Sequence, residues 1–336
     1  MRFEVSIPDE VRGMAGKIRY GIIGATSQAA KFVRALNMSS NSVVVGIADA
    51  DQALSKKFAA EMVVPEVYEN YVQLCQSNKI DIVYIPVKNK ERYDCAKMAL
   101  DNGKNVLLER PFTRHKVGAS ELFQLASKKK LFIMEAQSAL FLPIMRKVKK
   151  MLEDKTIGEV KFIDVKEKHD IGDKHGWFSE LSAGGGAFFN GGSNLLSVIE
   201  FLLNDSIKKW SGFEYNQVGE ADTRCALTLK CGNVLINSLI TTDFDIESKL
   251  VIYGTKGKIK IPNYWEGSAA ILENELGTKR FVLENQENGV VYEIEHVASC
   301  LNSGATSSPV ATPELTMQTM NIIQSLYQKW YGDPLN

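Results

Sequence analysis

The segment from Lys17 to Ala30 is the feature that most constrains the fold of this chain. It consists of an apolar run, a glycine at position 24 and the start of a helical pattern. Apolar residues then recur at the spacing of one helix face, at Ala29, Phe32, Val33 and Leu36. A strand that turns at a glycine into a helix begins a dinucleotide-binding βαβ unit, because the helix N-terminus offers unpaired N–H groups to a pyrophosphate. The full fingerprint has three glycines, and here Thr26 and Ala29 hold two of those places, so a plain strand–turn–helix remains the alternative.

A second apolar run, Ser42 to Ala48, ends in a carboxylate. Asp49 lies 25 residues after Gly24, close to the spacing of about 20 at which an acidic side chain meets the adenosine ribose. An Asp at a strand end is otherwise often a helix N-cap, and Asp51 is the second candidate for that role. The two features together favour a nucleotide-binding first half.

The residues around Asp49 also predict which dinucleotide binds. A carboxylate accepts hydrogen bonds from the ribose hydroxyls and repels a 2′-phosphate, whereas a nearby Arg accommodates that phosphate. This chain has Ala50 next in line, so we predict NAD. NADP stays the alternative, because Lys56 and Lys57 lie on the following predicted helix.

Length and composition exclude several classes of protein. The 336 residues suggest about two domains, and forty basic residues balance forty acidic ones. This balance argues against nucleic acid or an anionic membrane as the main partner. No apolar run approaches the roughly 20 residues that span a bilayer, and the first 17 residues lack an apolar signal core. Five scattered cysteines and four scattered histidines predict free thiols in a reducing cytoplasm and no metal site.

The order of the predicted elements indicates two domains. Strands alternate with helices up to Glu135, which predicts a doubly wound parallel sheet whose ligands bind beyond the carboxyl ends of the strands. After Pro143 the predicted strands are short, and hairpin turns such as Cys231-Gly-Asn join some of them. The predicted fold class is therefore α/β over 17–135, followed by an α+β domain with an open, mainly antiparallel sheet over 136–336. An extension over 1–16 precedes both.

Several stretches together resemble one known family. They are Gly24-Ala-Thr, Asn102 to Phe112, Met134-Glu-Ala-Gln137, Gly176-Trp-Phe with Gly184-Gly-Gly-Ala, and Val251 to Gly257. The chain resembles the glucose–fructose oxidoreductase / inositol dehydrogenase / MocA (Gfo/Idh/MocA) family of NAD(P)-dependent oxidoreductases, and within it the dihydrodiol-dehydrogenase-like branch. The resemblance implies a Rossmann domain followed by an open antiparallel sheet whose free face often forms a dimer contact. It also implies a small polyol, sugar or related hydroxy compound as substrate.

The resemblance and the strand ends together define a predicted cofactor site. Its members are Gly24, Ala25, Thr26, Ser27, Gln28, Asp49, Pro86, Asn89, Tyr93, Glu109, Arg110 and Gln137.

The family's reactive positions carry different residues in this chain. Where the family has Glu-Lys-Pro, its Lys being the catalytic hallmark, this chain has Glu109-Arg110-Pro111. The family motif Gly-Gly-Gly-x-x-x-Asp-x-Gly-x-His/Tyr supplies substrate and proton-relay groups, and Asn190 and Asn194 stand at its reactive places. A guanidinium stays protonated, with a pKa above about 12, and Asn does not titrate. Either turnover has been lost, or another relay serves another substrate.

Oxidation of an alcohol needs a group that accepts the hydroxyl proton. Candidates near the motifs are His175, His169, Asp170 and Tyr93, and for each histidine a loop residue without chemistry is the alternative. The predicted catalytic set is Arg110, His175, Asn190 and Asn194.

The predicted substrate-binding set is Lys88, Arg92 and Trp177. Lys88, Arg92 and Arg110 follow strands of the first domain, so they are expected to converge on one cleft. Converging cations favour an anionic ligand unless carboxylates balance them. Glu109, Asp170 and Glu180 are the candidates for that balance.

Three functions compete at this point. The first is a cytoplasmic NAD(P)-dependent oxidoreductase, the second is a dinucleotide-binding sensor or regulatory protein without turnover, and the third is a scaffold that uses only the face of its second sheet. In each case we expect a homodimer through the second sheet, since its strands carry many apolar residues. Those residues are Leu227, Leu229, Val234, Ile236, Leu239, Val251 and Tyr253.

Overall fold

The structure, a computed structural model, describes residues 16–170, 176–283 and 288–332. In the first part of these ranges, strands and helices alternate. The strands are β1 (Ile18–Ile23), β2 (Ser42–Ala48), β3 (Glu66–Val67), β4 (Ile82–Ile85), β5 (Asn105–Glu109) and β6 (Ile133–Ala136). The helices are α1 (Ser27–Met38), α2 (Gln52–Met62), α3 (Tyr71–Gln76), α4 (Arg92–Asp101) and α5 (Lys116–Lys129).

These strands form one parallel sheet in the order β3-β2-β1-β4-β5-β6. The strand order reverses between β1 and β4, which places the ligand crevice at the carboxyl ends of these two strands. Helix α1 covers one face of the sheet there, and its Phe32 stacks on Tyr84 of β4 with 3.8 Å between ring centroids. The predicted doubly wound sheet is confirmed.

The remainder of the described chain contributes a second sheet and four helices. Its strands are β7 (Val160–Lys168), β8 (Ile207–Tyr215), β9 (Arg224–Cys231), β10 (Val234–Thr241), β11 (Lys249–Gly254), β12 (Gly257–Pro262), β13 (Ala269–Asn274) and β14 (Gly277–Val282). Its helices are α6 (Pro143–Glu153), α7 (Ala187–Leu203), α8 (Val290–Asn302) and α9 (Pro313–Tyr331). Within the described ranges, no helix is long and apolar enough to cross a membrane.

The second sheet has the order β14-β13-β12-β11-β7-β10-β9-β8. Neighbouring strands are antiparallel except β7 and β10, which run parallel. Strand β7 therefore lies between β11 and β10, far from its place in the chain. The sheet is mainly antiparallel, as predicted, but it is not a simple meander.

Two elements lacked a usable sequence signal. Strand β8 shows no alternation of buried and exposed residues, and its sequence carries two lysines and a glycine. Helix α8 begins after Gly289 without a side-chain cap, and its first residues, Val290 and Val291, are β-branched. A β-branched start without a cap lowers the helical signal, so only packing against the rest of the protein specifies this helix.

Four of the seven apolar residues predicted for the dimer contact do not lie on the free face of the second sheet. Leu227, Leu229, Val234 and Ile236 are at most 8% exposed and face the protein's own core. Leu239, Val251 and Tyr253 lie on the opposite, free face, since residues paired across neighbouring strands share a face. Because the side chains of a strand alternate, the apolar residues of one strand belong to two different faces.

Candidate active site

The turn after β1 has the geometry of a phosphate-binding loop. Gly24 has φ +104°, its N–H donates to the carbonyl of Ala48 at 2.8 Å, and a Cβ there would lie 3.0 Å from Cγ1 of Val87. Thr26 caps α1, because its Oγ1 accepts from the N–H of Ala29 at 3.1 Å. The N–H groups of Ser27 and Gln28, at the start of α1, precede these capping bonds and are available to an anion. The predicted turn of Gly24, Ala25 and Thr26 therefore fits a dinucleotide pyrophosphate.

The two acidic residues after β2 have separate roles. Oδ1 of Asp51 accepts from the N–H groups of Ala53 (2.8 Å) and Leu54 (3.2 Å), so Asp51 is the N-cap of α2. Asp49 is not the cap. Its Oδ2 accepts from the N–H of Ala25 at 2.7 Å and its Oδ1 from that of Asp51 at 2.9 Å, which holds the carboxylate beside the Gly24 turn. This is the position that a ribose-binding acid requires.

A cleft of about 340 Å³ opens between the two sheets at the carboxyl ends of the parallel strands. Residues of both domains line it. They are Thr26, Ser27, Gln28, Pro86, Val87, Lys88, Arg92, Glu109, Arg110, His169, Trp177 and Asn190. All of them except Val87 belong to the residues that the sequence had singled out, so the structure brings most of the predicted site together.

Arg110 crosses this cleft. Its Nη1 donates to the backbone carbonyl of Asn190 at 3.1 Å, and its own N–H donates to Oε2 of Glu109 at 3.1 Å. The other oxygen of Glu109 accepts from the hydroxyl of Tyr84 at 2.6 Å. Burial and then the Glu109 carboxylate raise the pKa of Tyr84 well above its usual value, so Tyr84 remains a hydrogen-bond donor.

The side chain of Arg92 makes hydrogen bonds to the protein's own backbone. It is 8% exposed, its Nε donates to the carbonyl of Val87 at 3.1 Å, and its Nη1 donates to that of Pro111 at 2.7 Å. Burial lowers its pKa to about 10. Arg92 therefore holds together the loops that follow β4 and β5. It also lines the cleft, so its role in substrate binding stays a prediction. Lys88 is exposed at the cleft, so two cations, Lys88 and Arg110, have donors to offer there.

Asn89 and Tyr93, both predicted to bind the cofactor, point elsewhere. Nδ2 of Asn89 donates to the carbonyl of Gly184 at 2.6 Å and to Oδ1 of Asn190 at 3.2 Å, which ties the two domains together. The hydroxyl of Tyr93 donates to Glu121 at 2.5 Å, beside a separate cavity of about 560 Å³. Neither side chain lines the 340 Å³ cleft.

Gln137 is also buried away from the cleft, within a carboxyl-rich cluster. Its Nε2 donates to Oγ of Ser193 at 2.8 Å, and Ser193 donates to Oε1 of Glu135 at 3.0 Å. The backbone N–H of Gln137 donates to Oε1 of Glu293 at 2.6 Å. Burial, then the charge of Glu109, raises the pKa of Glu293 to about 8. Sequence reasoning missed Glu293 because it lies on α8, a helix with no clear local signal.

The remaining predicted site residues differ in whether they reach the cleft. Asn194 is 1% exposed and does not reach the cleft. His175 and the predicted extension, apart from Gly16, lie outside the described residues. Asp170 is exposed, whereas His169 lines the cleft. Among the described residues, no group of three or more His, Cys, Asp or Glu side chains is placed to hold a metal ion.

Comparison with known families agrees with this geometry. Residues 18–137 match the family described as "Oxidoreductase family, NAD-binding Rossmann fold". Residues 145–260 match the "GFO/IDH/MocA C-terminal domain". Each of the two matched segments contributes residues that line the cleft.

Individual relatives point the same way. The chain is 29% identical over 310 residues to the trans-1,2-dihydrobenzene-1,2-diol dehydrogenase of Xenopus tropicalis, covering 87% of this chain and 92% of that protein. The enzyme of the same name from Mus musculus is 27% identical over 305 residues, covering 87% of this chain and 91% of the relative.

Solved structures share the fold at lower identity. A 3-ketoreductase from Actinomadura kijaniata, in complex with NADP and TDP-benzene, superposes with a TM-score of 0.83 at 21% identity, over 93% of this chain and 98% of that one. An aldose-aldose oxidoreductase from Caulobacter crescentus gives 0.85 at 17% identity, over 93% and 97%. Because residues 18–137 and 145–260 both match models of this family, the chain belongs to the Gfo/Idh/MocA family of NAD(P)-dependent oxidoreductases.

Proposed function

We propose that this protein oxidises a small hydroxy compound, such as a polyol, a sugar or a vicinal diol, in the cleft between its two domains. The observation that carries the proposal is that the Gly24 turn and Arg110 of the first domain share one cleft with Trp177 and Asn190 of the second. A bound nicotinamide dinucleotide would supply the hydride acceptor. The relatives named as dihydrodiol dehydrogenases support a diol as the first substrate to test.

The residues present fit the dinucleotide in a defined way. The turn at Gly24 and the N–H groups at the start of α1 would hold the pyrophosphate, and Asp49 would hold the ribose. We propose NAD over NADP, because a carboxylate at this place repels a 2′-phosphate. Side-by-side titration of the purified protein with both dinucleotides tests this, and tighter binding of NADP would refute it.

Arg110 would orient the substrate without accepting its proton. Its guanidinium stays charged, and within the described ranges one of its five N–H donors is engaged, through the contact with Asn190 above. The donors that remain, with the Lys88 ammonium, would favour a substrate that carries a carboxylate or phosphate. Glu109 opposes this preference with its own charge at the same cleft. Thermal shifts with sugar acids, sugar phosphates and neutral sugars distinguish the two cases, since equal shifts count against an anion site.

The function itself is tested by mixing the full chain with NAD and trans-1,2-dihydrobenzene-1,2-diol, a polyol series or a sugar series. We expect the absorbance of reduced nicotinamide to rise with at least one substrate. A sensor without turnover would bind NAD, by calorimetry or fluorescence, with no such change. A protein that neither binds NAD nor changes its absorbance would contradict both functions.

We also propose that the protein is a cytoplasmic homodimer. Every cysteine lies in the described part of the chain, and all are free and buried, which suits a reducing compartment. On the free face of the second sheet, Leu235 and Tyr253 flank Phe162 and are 52% and 39% exposed. A second copy of this face would cover these apolar side chains.

A further inference from the structure

We propose that His169 accepts the hydroxyl proton of the substrate in this chain, and that Glu167 positions its imidazole. This inference rests on the proposed oxidoreductase function and names a residue for one of its steps. In that step the O–H proton of the alcohol passes to the imidazole, the carbinol C–H leaves as a hydride to the nicotinamide, and the C–O bond becomes a carbonyl.

His169 has a fixed place on the cleft wall. It directly follows β7, and its backbone N–H donates to the carbonyl of Thr241 on β10 at 2.9 Å. Its ring lies 6.1 Å from that of Trp265, between centroids. The imidazole lines the same cleft as Arg110 and Lys88, and its side chain is 22% exposed. A substrate held by Arg110 would therefore lie within the cleft that the imidazole faces.

A buried carboxylate lies behind this imidazole. Glu167 is 0% exposed, and its Oε1 lies 2.6 Å from Nε2 of His169. The contact is off the direction of a ring N–H, so Oε1 has no aligned hydrogen bond among the described residues. The hydroxyl of Tyr264 donates to the other oxygen, Oε2. A buried carboxylate with one unsatisfied oxygen is costly, and a protonated imidazole beside it would supply the missing positive charge.

The neighbouring helix leaves room for this imidazole. A Cβ at Gly191 of α7 would lie 2.5 Å from Nε2 and 3.0 Å from Cδ2 of His169, so a larger residue would displace the ring. The two positions of α7 at which the family carries titratable groups are Asn190 and Asn194, and neither titrates. The imidazole at the cleft thus comes from the residue that follows β7 rather than from α7, and its carboxylate partner Glu167 lies on β7. Glu167, with Oε1 2.6 Å from Nε2, is therefore placed to position the imidazole of a general base.

Several elements place charged or titratable groups near His169. Glu167 lies on its own strand, Tyr264 follows β12, and Glu109, Arg110 and Lys88 face it across the cleft. Burial, then the Glu167 carboxylate, raises the pKa of Tyr264 well above its usual value, so Tyr264 stays a donor to Glu167 and does not compete for the proton.

The first experiment locates His169 without requiring turnover. The full chain is treated with diethyl pyrocarbonate, alone and with NAD plus trans-1,2-dihydrobenzene-1,2-diol, and modified histidines are mapped by peptide mass spectrometry. We expect modification at His169 in the free protein and protection when the cleft is filled. His115, which lines the separate 560 Å³ cavity, should not be protected. Unprotected His169 in a protein that binds NAD would overturn the inference.

The second experiment measures its contribution. His169→Gln keeps a polar side chain without a proton acceptor, and should lower kcat by about 10²- to 10⁴-fold with the NAD dissociation constant unchanged. His115→Gln is the matched control and should keep the wild-type rate. His169→Ala should regain activity with added imidazole, which a folding defect would not allow. A His169→Gln enzyme with the wild-type kcat would overturn the inference while leaving the proposed function intact, whereas a wild-type protein without turnover would defeat both.

The role of Glu167 is tested by comparing the effect of its substitution on kcat with and without His169. Glu167→Gln should lower kcat in the wild-type background with little change in KM, and should cost nothing further in His169→Gln, because a positioning residue acts only through the group it positions. An equal loss of rate in both backgrounds would show that Glu167 has a general structural role instead.

Discussion

The guanidinium of Arg110, at the end of β5, donates from Nη1 to the backbone carbonyl of Asn190 on α7 at a distance of 3.1 Å. This contact joins the parallel sheet of the first domain to the helix that packs inside the second. Lys in the same place has three donors on a flexible stem instead of a planar fork of five. It could not hold the Asn190 carbonyl and present a bidentate pair to a ligand at the same time.

Arg110→Lys therefore separates two roles of this position. We expect weaker binding of carboxylate-bearing ligands, by about 1–3 kcal/mol for a lost charge-assisted hydrogen bond, measured by calorimetry. Arg114→Lys is the control, because Arg114 also donates across to the second domain, at the carbonyl of Ser182, but lines the other cavity. A roughly 10²-fold gain in turnover of a neutral polyol would instead show that Lys restores proton transfer and that Arg110 does not serve to bind an anionic group of the substrate.

Gly24→Ala should impair both folding and cofactor binding. The backbone has φ +104° and the new Cβ would meet Val87 at 3.0 Å, so the turn that presents the α1 N-terminus must shift. Gly103→Ala is matched, since Gly103 also has positive φ, +74°, but open space around it. It should lose about 1 kcal/mol of stability from backbone strain and keep its affinity for NAD. Equal NAD affinity in both variants would contradict the assignment of this turn.

Glu293→Gln should change how stability depends on pH. The folded-state pKa of Glu293 is raised from 4.5 to about 8, so the folded protein holds a proton that the unfolded chain releases above its own, lower pKa. The free energy of unfolding therefore falls as pH rises between these values. Gln stays neutral and still offers an oxygen to the N–H of Gln137. We expect the variant to gain melting temperature relative to wild type as pH rises from 5 to 8 (about the window the two values define); parallel curves would contradict this.

Leu235→Lys should yield a monomer if the free face of the second sheet joins two copies. The substitution places a charge beside Phe162 in the centre of that face. Leu276→Lys is the matched control, because Leu276 is 90% exposed in the turn between β13 and β14. Light scattering at micromolar concentration should show a dimer for the control and a monomer for Leu235→Lys. A wild-type protein that is monomeric under these conditions would end the proposal.

Local patterns in the sequence determined the first domain and its ligand-binding end. The glycine turn at Gly24, the acid at Asp49 and the alternation of strands with helices each depend on neighbours within a few residues or on one repeating unit. Parallel strands then end at one edge by geometry alone. For this reason residues as far apart as Gln28, Lys88 and Arg110 were expected at one cleft, and they line it together.

Tertiary contacts decided which of these side chains are available for chemistry. The sequence predicts Arg92 and Asn89 as site residues. In the structure, backbone carbonyls accept from Nε and Nη1 of Arg92 and from Nδ2 of Asn89. Conversely, the sequence marks His169 only as a loop histidine. It lines the cleft because β7 lies between β11 and β10 and because Gly191 of α7 leaves room for its ring. Burial and long-range pairing set a side chain's partners and its pKa, and neither is encoded in the spacing of nearby residues.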